Sequence, residues 1–85
     1  MPYSIRFTPH ARRDFSALDR TVQQRLQRHM DRLAENPFPQ GAKKLHAEEP
    51  YYRIRVGDYR VIYTIDDAIR IVEVRRIAHR RESYE

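Results

Sequence analysis

Apolar and polar positions alternate along three stretches of the chain and recur at helical spacing along two others. Tyr3, Ile5 and Phe7 alternate with Ser4 and Arg6, which predicts a short first strand over residues 3–7. Thr8-Pro9 follows as a helix start, with Thr8 as N-cap and Pro9 at the first helical position. Ala11, Phe15 and Leu18 then share one face of a short helix. Asp19 can cap a second helix, whose apolar stripe is Val22, Leu26, Met30 and Leu33 with His29 beside it; Asn36-Pro37 stops it. Its other side is polar and basic, with Arg20, Arg25, Arg28 and Arg32. Each helix is too short or too polar to stand alone, so the stripes must pack on a sheet.

Residues 37–50 read as a loop, punctuated by Pro37, Pro39, Gly41 and Pro50, with a brief strand predicted over 42–45. The clearest signal comes next. Two runs rich in aromatic and β-branched residues flank Gly57-Asp58, which predicts a hairpin with a two-residue loop. That loop opposes Val56 to Tyr59, Arg55 to Arg60, Ile54 to Val61, Arg53 to Ile62 and Tyr52 to Tyr63. Opposed residues share a face. One face is therefore apolar, through Tyr52, Ile54, Val56, Tyr59, Val61 and Tyr63. The other gathers Arg53, Arg55 and Arg60. Like charges placed opposite one another cost a hairpin stability, so either an anion meets them or they splay into water. Asp66-Asp67 predicts the next turn and residues 68–77 the last strand. This register sets Val72 against Val61, Glu73 against Arg60, and Ile71 beside Ile62. The predicted fold class is α+β: one strand, a two-helix hairpin, then an antiparallel three-stranded meander, with the helices on one sheet face and the arginine face open.

Eighty-five residues make a single small domain, 1–85, with little room for a deep cavity. The net charge of +5 fits a polyanionic partner such as RNA. The cations are fifteen Arg and two Lys; the planar Arg fork matches phosphate and stacks on bases, which Lys does not. There is no Cys, which excludes disulfides, thiol chemistry and Cys-ligated zinc. His10 and His46 have no ligand spacing, so no metal is expected. The start of the chain carries no apolar signal region and no run approaches a membrane span, so the expectation is a soluble cytoplasmic protein with no membrane partner.

The hairpin YYRIRVGDYRVIY over residues 51–63, the acidic turn, an apolar strand ending near Ile77, and the closing His79-Arg80-Arg81-Glu82-Ser83-Tyr84 resemble the RelE/ParE toxin superfamily of type II toxin–antitoxin systems, in particular its RelE-like branch. The resemblance covers nearly the whole chain. It implies a ribosome-dependent endoribonuclease that cuts mRNA in the ribosomal A site without a cofactor. It implies a cognate antitoxin as partner besides ribosome and mRNA, with a toxin–antitoxin heterotetramer as one assembly. Carried over by motif, the active face falls on Arg53, Arg55, Arg60, Arg80 and Tyr84, with Arg81 competing for the role of Arg80. The best-studied RelE branch has Lys where Arg53 and Arg55 stand here. Arg stays protonated, so these two can clamp phosphate but not act as a base. That leaves Tyr84, whose hydroxyl a cluster of cations would acidify, or His79, an imidazole of the kind that commonly serves as a general base, to take a proton. The catalytic candidates are thus Arg60, Arg80, Tyr84 and His79, and the substrate-binding candidates Arg53, Arg55 and Arg81. A ParE-like inhibitor of DNA gyrase and an inert antitoxin-binding member are the alternatives on the same fold.

Overall fold

A computed structural model describes residues 2–38, 43–44 and 51–79. Within them the order is β1 (Ser4–Phe7), α1 (Pro9–Ser16), α2 (Arg20–Glu35), β2 (Lys43–Lys44), β3 (Tyr51–Val56), β4 (Tyr59–Asp66) and β5 (Ile71–His79). The strands form one sheet in the order β1-β5-β4-β3-β2. β1 runs parallel to β5, and the remaining neighbours are antiparallel. The α+β architecture is the expected one. Among the described residues no helix is long and apolar enough to cross a membrane.

The helix starts follow the sequence signals. Thr8 Oγ1 accepts the Ala11 N–H at 3.1 Å and Asp19 Oδ1 accepts that of Val22 at 3.0 Å, so each helix has an orphan amide satisfied by its N-cap. α2 stops at Glu35 because Asn36, the residue before Pro37, is driven to extended backbone. Leu26, Met30 and Leu33 of α2 and Ala11 of α1 bury against Ile54, Val56, Val61, Tyr63, Val72, Val74 and Ile77 of the sheet.

Tyr63 is fully buried and its hydroxyl donates to the Pro37 carbonyl at 2.9 Å, tying the end of α2 to β4. Burial first, and the neighbouring Tyr52 second, push that hydroxyl from its ordinary value of 10.0 up to about 12. A raised folded-state pKa leaves its contribution to stability intact below the unfolded value, and removes it as pH rises through the folded value. Stability should therefore fall between pH 10 and 12 by roughly 3 kcal/mol from this group. Urea titrations across that range should show the loss in the parent and a smaller one in Tyr63→Phe.

The β3–β4 hairpin has the predicted register throughout, from Val56 against Tyr59 to Tyr52 against Tyr63. Gly57 takes φ +59°, the left-handed value the first position of this turn requires. A Cβ there would also come within 2.9 Å of Arg25 Nη1, since the Arg25 guanidinium reaches over the turn from α2.

The next turn departs from expectation. β4 continues through Asp66 and β5 begins at Ile71, so four residues, 67–70, make the connection instead of two. Asp66 Oδ1 accepts the N–H groups of Ala68 and Ile69 at 3.1 and 3.4 Å, an Asx-type turn that starts one residue later than the sequence pattern suggests. Arg70 closes it at φ 59°, the sole positive φ among described non-glycine residues. Tyr3 and the start of β1 hold this turn in place: the Tyr3 hydroxyl donates to the Asp67 carboxylate, the Arg70 guanidinium lies 5.2 Å from the centre of the Tyr3 ring, and Ser4 N–H donates to the Arg70 carbonyl at 2.9 Å.

The longer turn changes the β4–β5 register. Tyr63 opposes Val74, Val61 opposes Ile77 and Tyr59 opposes His79, with a bulge at Arg75 between the Ile62–Arg76 and Tyr63–Val74 pairs. Three expectations are thereby corrected. Val72 opposes Ile65, not Val61. Glu73 opposes Thr64, not Arg60, and bonds Arg75 at 2.9 Å. Ile71 opposes Asp66 and does not lie beside Ile62. The bulge falls where β1 gives way to α1, and these elements satisfy the backbone around it. Thr8 N–H donates to the Val74 carbonyl at 3.0 Å, the Thr8 hydroxyl to the Arg75 carbonyl at 3.2 Å, and Ile77 N–H to Asp14 Oδ2 at 2.9 Å.

Candidate functional site

The open face of the sheet is built by strand alternation. Residues 51, 53 and 55 of β3 and 60 and 62 of β4 share the side away from the core helices. Arg55 directly opposes Arg60, with Cβ atoms about 4.5–5.5 Å apart, and Arg53 opposes Ile62. Arg55 is exposed, whereas Arg53 and Arg60 are half-buried and the Arg60 Nε is shielded from solvent. The side chains of Arg53 and Arg55 make no hydrogen bond or ion pair with another described residue. Across from Arg60 on β5 stands Ala78, which is buried. No carboxylate therefore opposes Arg60 within the sheet. Three guanidinium-bearing side chains thus start from one face of the hairpin, and clustered guanidinium donors are of the kind that match phosphate.

Beside these arginines lies a groove of about 580 Å³. α1 and its N-cap contribute Thr8, Pro9, His10 and Arg13, and the sheet contributes Tyr51, Ile62, Arg75 and Arg76. Arg76 Nε meets Asp14 Oδ2 at 3.1 Å. The Arg75 guanidinium lies 5.9 Å from the centre of the Tyr51 ring. A second basic surface runs along α2, where partial burial, then Arg32, Arg25 and Arg28, lower the pKa of His29.

The structure brings Arg53, Arg55 and Arg60 together as the hairpin register requires. It does not bring His79 to them. His79 opposes Tyr59, and their rings meet edge to face with centres 5.1 Å apart, on the helix-covered side of the sheet. The shifted register and the bulge put it there. Arg80, Arg81 and Tyr84 lie outside the described residues. Sequence reasoning missed Tyr51, Arg13 and Arg76 as members of this face. Tyr51 was accessible to it, being two residues before Arg53 on the same strand. Arg76 was hidden by the register error, and Arg13 by a topology that the sequence pattern does not specify.

The family model of the ParE toxin of type II toxin–antitoxin systems matches residues 5–84. The chain belongs to this toxin family. Toxin RelG of Mycobacterium tuberculosis is 33% identical over 85 residues, covering 99% of this chain and 98% of that protein. Toxin RelE of the same organism is 34% identical over 84 residues, covering 98% of this toxin and 87% of that one. In the crystal structure of the M. tuberculosis toxin–antitoxin complex RelBE2, a chain 32% identical superposes with a TM-score of 0.83, covering 93% of this toxin and 99% of that chain. The toxin is RelE-like in fold and sequence.

Proposed function

We propose that residues 1–85 form one toxin domain that arrests translation by cutting ribosome-bound mRNA in the cytoplasm. The observation carrying this reading is the gathering of Arg53, Arg55 and Arg60 on one face of the hairpin, away from the core helices. An RNA 2′-hydroxyl gives up its proton and its oxygen attacks the adjacent phosphorus. The bond from phosphorus to the 5′-oxygen breaks, and that oxygen takes up a proton. The products are a 2′,3′-cyclic phosphate and a 5′-hydroxyl. Arg60 with Arg53 or Arg55 holds the phosphate and the charge that builds on it. Arg80, with Arg81 beside it, attends the leaving oxygen, a role carried by the resemblance. Tyr84 takes the 2′ proton. The position of His79 on the reverse side of the sheet argues for Tyr84 over His79.

A cognate antitoxin restrains the toxin, as the RelBE2 complex of the relative suggests. Its segment is acidic or amphipathic, matching a cationic face with Ile62 in its floor, and two toxins with two antitoxins make the heterotetramer. The ParE description of the matching family keeps gyrase inhibition as the second reading. Adding the purified toxin to a cell-free translation extract and to a gyrase supercoiling assay separates them. Translation stops and supercoiling continues if the ribonuclease reading holds; the opposite pattern supports gyrase. Within the ribonuclease reading, His79→Gln should cleave at close to the parental rate. Tyr84→Phe should be strongly impaired, and the parental rate should still be rising above neutral pH, as a Tyr base requires.

A further inference from the structure

We infer that the groove between α1 and the arginine face is a subsite for one nucleotide of the RNA strand, next to the scissile phosphate. This rests on the ribonuclease reading above. The groove, at about 580 Å³, is large enough for one nucleotide. Its place is set by Ile62, which opposes Arg53 on one side and Arg76 on the other. The floor of the groove is thus continuous with the arginines that hold phosphate. Tyr51 stands two residues from Arg53 on the same face, about 6.6 Å along the strand. An RNA strand held at Arg53 and Arg60 meets Tyr51 with its neighbouring nucleotide.

The wall chemistry suits a nucleotide better than a peptide. Tyr51 is half-buried and carries the Arg75 guanidinium over its ring; phenol and guanidinium planes are the surfaces on which unpaired RNA bases stack. Arg13 makes no side-chain hydrogen bond or ion pair with another described residue. Asp14, anchored by the Ile77 N–H, fixes Arg76 through Nε alone. Three arginines thus stand against two carboxylates, Asp14 and Glu73, and His10 lies at the mouth with Nε2 3.8 Å from Asp14 Oδ1. The excess positive charge fits the phosphate of the stacked nucleotide. An acidic peptide would satisfy the charge and leave the stacking platform unused.

Binding of the full chain to 2′-O-methyl RNA oligonucleotides, which lack the attacking hydroxyl, tests this at low salt. Affinity should rise when the oligonucleotide becomes long enough to pass from the arginines into the groove. Tyr51→Ala should weaken that longer oligonucleotide about tenfold or more, with Tyr51→Phe close to the parent. Arg13→Gln should make the slope of log affinity against log salt shallower by about 0.7, while Tyr51→Ala leaves the slope unchanged. Melting curves of each variant confirm that it is folded. The inference is overturned if the parent binds no oligonucleotide, if these variants bind RNA as the parent does, or if they lose only affinity for the antitoxin. If the variants bind RNA as the parent does while the parent still cuts mRNA on ribosomes, the groove assignment falls and the ribonuclease reading stands. If the length and salt effects appear and the parent cuts nothing, the groove binds RNA and the ribonuclease reading falls.

Discussion

Arg60→Ala is expected to slow mRNA cleavage on the ribosome by about 10²–10³-fold, the usual loss when one donor to a developing oxyanion is removed. The fold should barely notice. Arg60 faces outward, opposes Arg55, and has Ala78 across from it on β5. Truncation relieves a like-charge opposition and gives up some stem packing, so stability should change by at most about 1 kcal/mol. Single-turnover cleavage and a melting curve measure the two quantities on one preparation. A melting temperature that drops as far as in a core variant would make Arg60 a structural residue and remove it from the site.

Leu26→Ala should show the reverse pattern. Leu26 is fully buried where α2 packs on the sheet. Removing its methyl groups should cost about 2–5 kcal/mol in lost transfer energy and cavity formation. That is a large share of the roughly 5–15 kcal/mol a domain has in total, so the variant should be partly unfolded at growth temperature. The molecules that remain folded should cleave at the parental rate, because α2 lies on the side of the sheet away from the arginines. Urea denaturation gives the stability, and activity normalised to folded protein gives the rate. A parental midpoint in Leu26→Ala would mean that α2 does not seal the core.

The contrast between these residues matches what the sequence discloses and what it conceals. The hairpin was legible because a two-residue loop at Gly57-Asp58 leaves one register, and period-two alternation then fixes both faces at once. The helices were legible because Thr8, Asp19 and Asn36-Pro37 are local signals acting within one turn. The β4–β5 pairing was not. Its register depends on a turn in which Asp66 bonds two successive amides, Arg70 takes a left-handed conformation that its residue type does not advertise, and Tyr3 clamps the turn from the far end of the chain. The bulge at Arg75 depends likewise on Thr8 and Asp14, more than sixty residues away. These non-local contacts moved His79 to the covered face, brought Arg76 to the open one and placed Ala78, not Glu73, opposite Arg60. Local chemistry therefore disclosed the arginine trio, and the tertiary contacts of β1 and α1 decided its neighbours.

The most direct test of the arginine face as a ribosome-dependent nuclease is to map 5′ ends on a defined mRNA incubated with the purified toxin, once on ribosomes stalled with an empty A site and once free of ribosomes. New ends carrying 5′-hydroxyls should appear inside the A-site codon of the ribosome-bound message alone, and Arg60→Ala should form them about 10²–10³-fold more slowly. No new ends from a toxin that still halts growth, or the same cuts in naked mRNA, would contradict it.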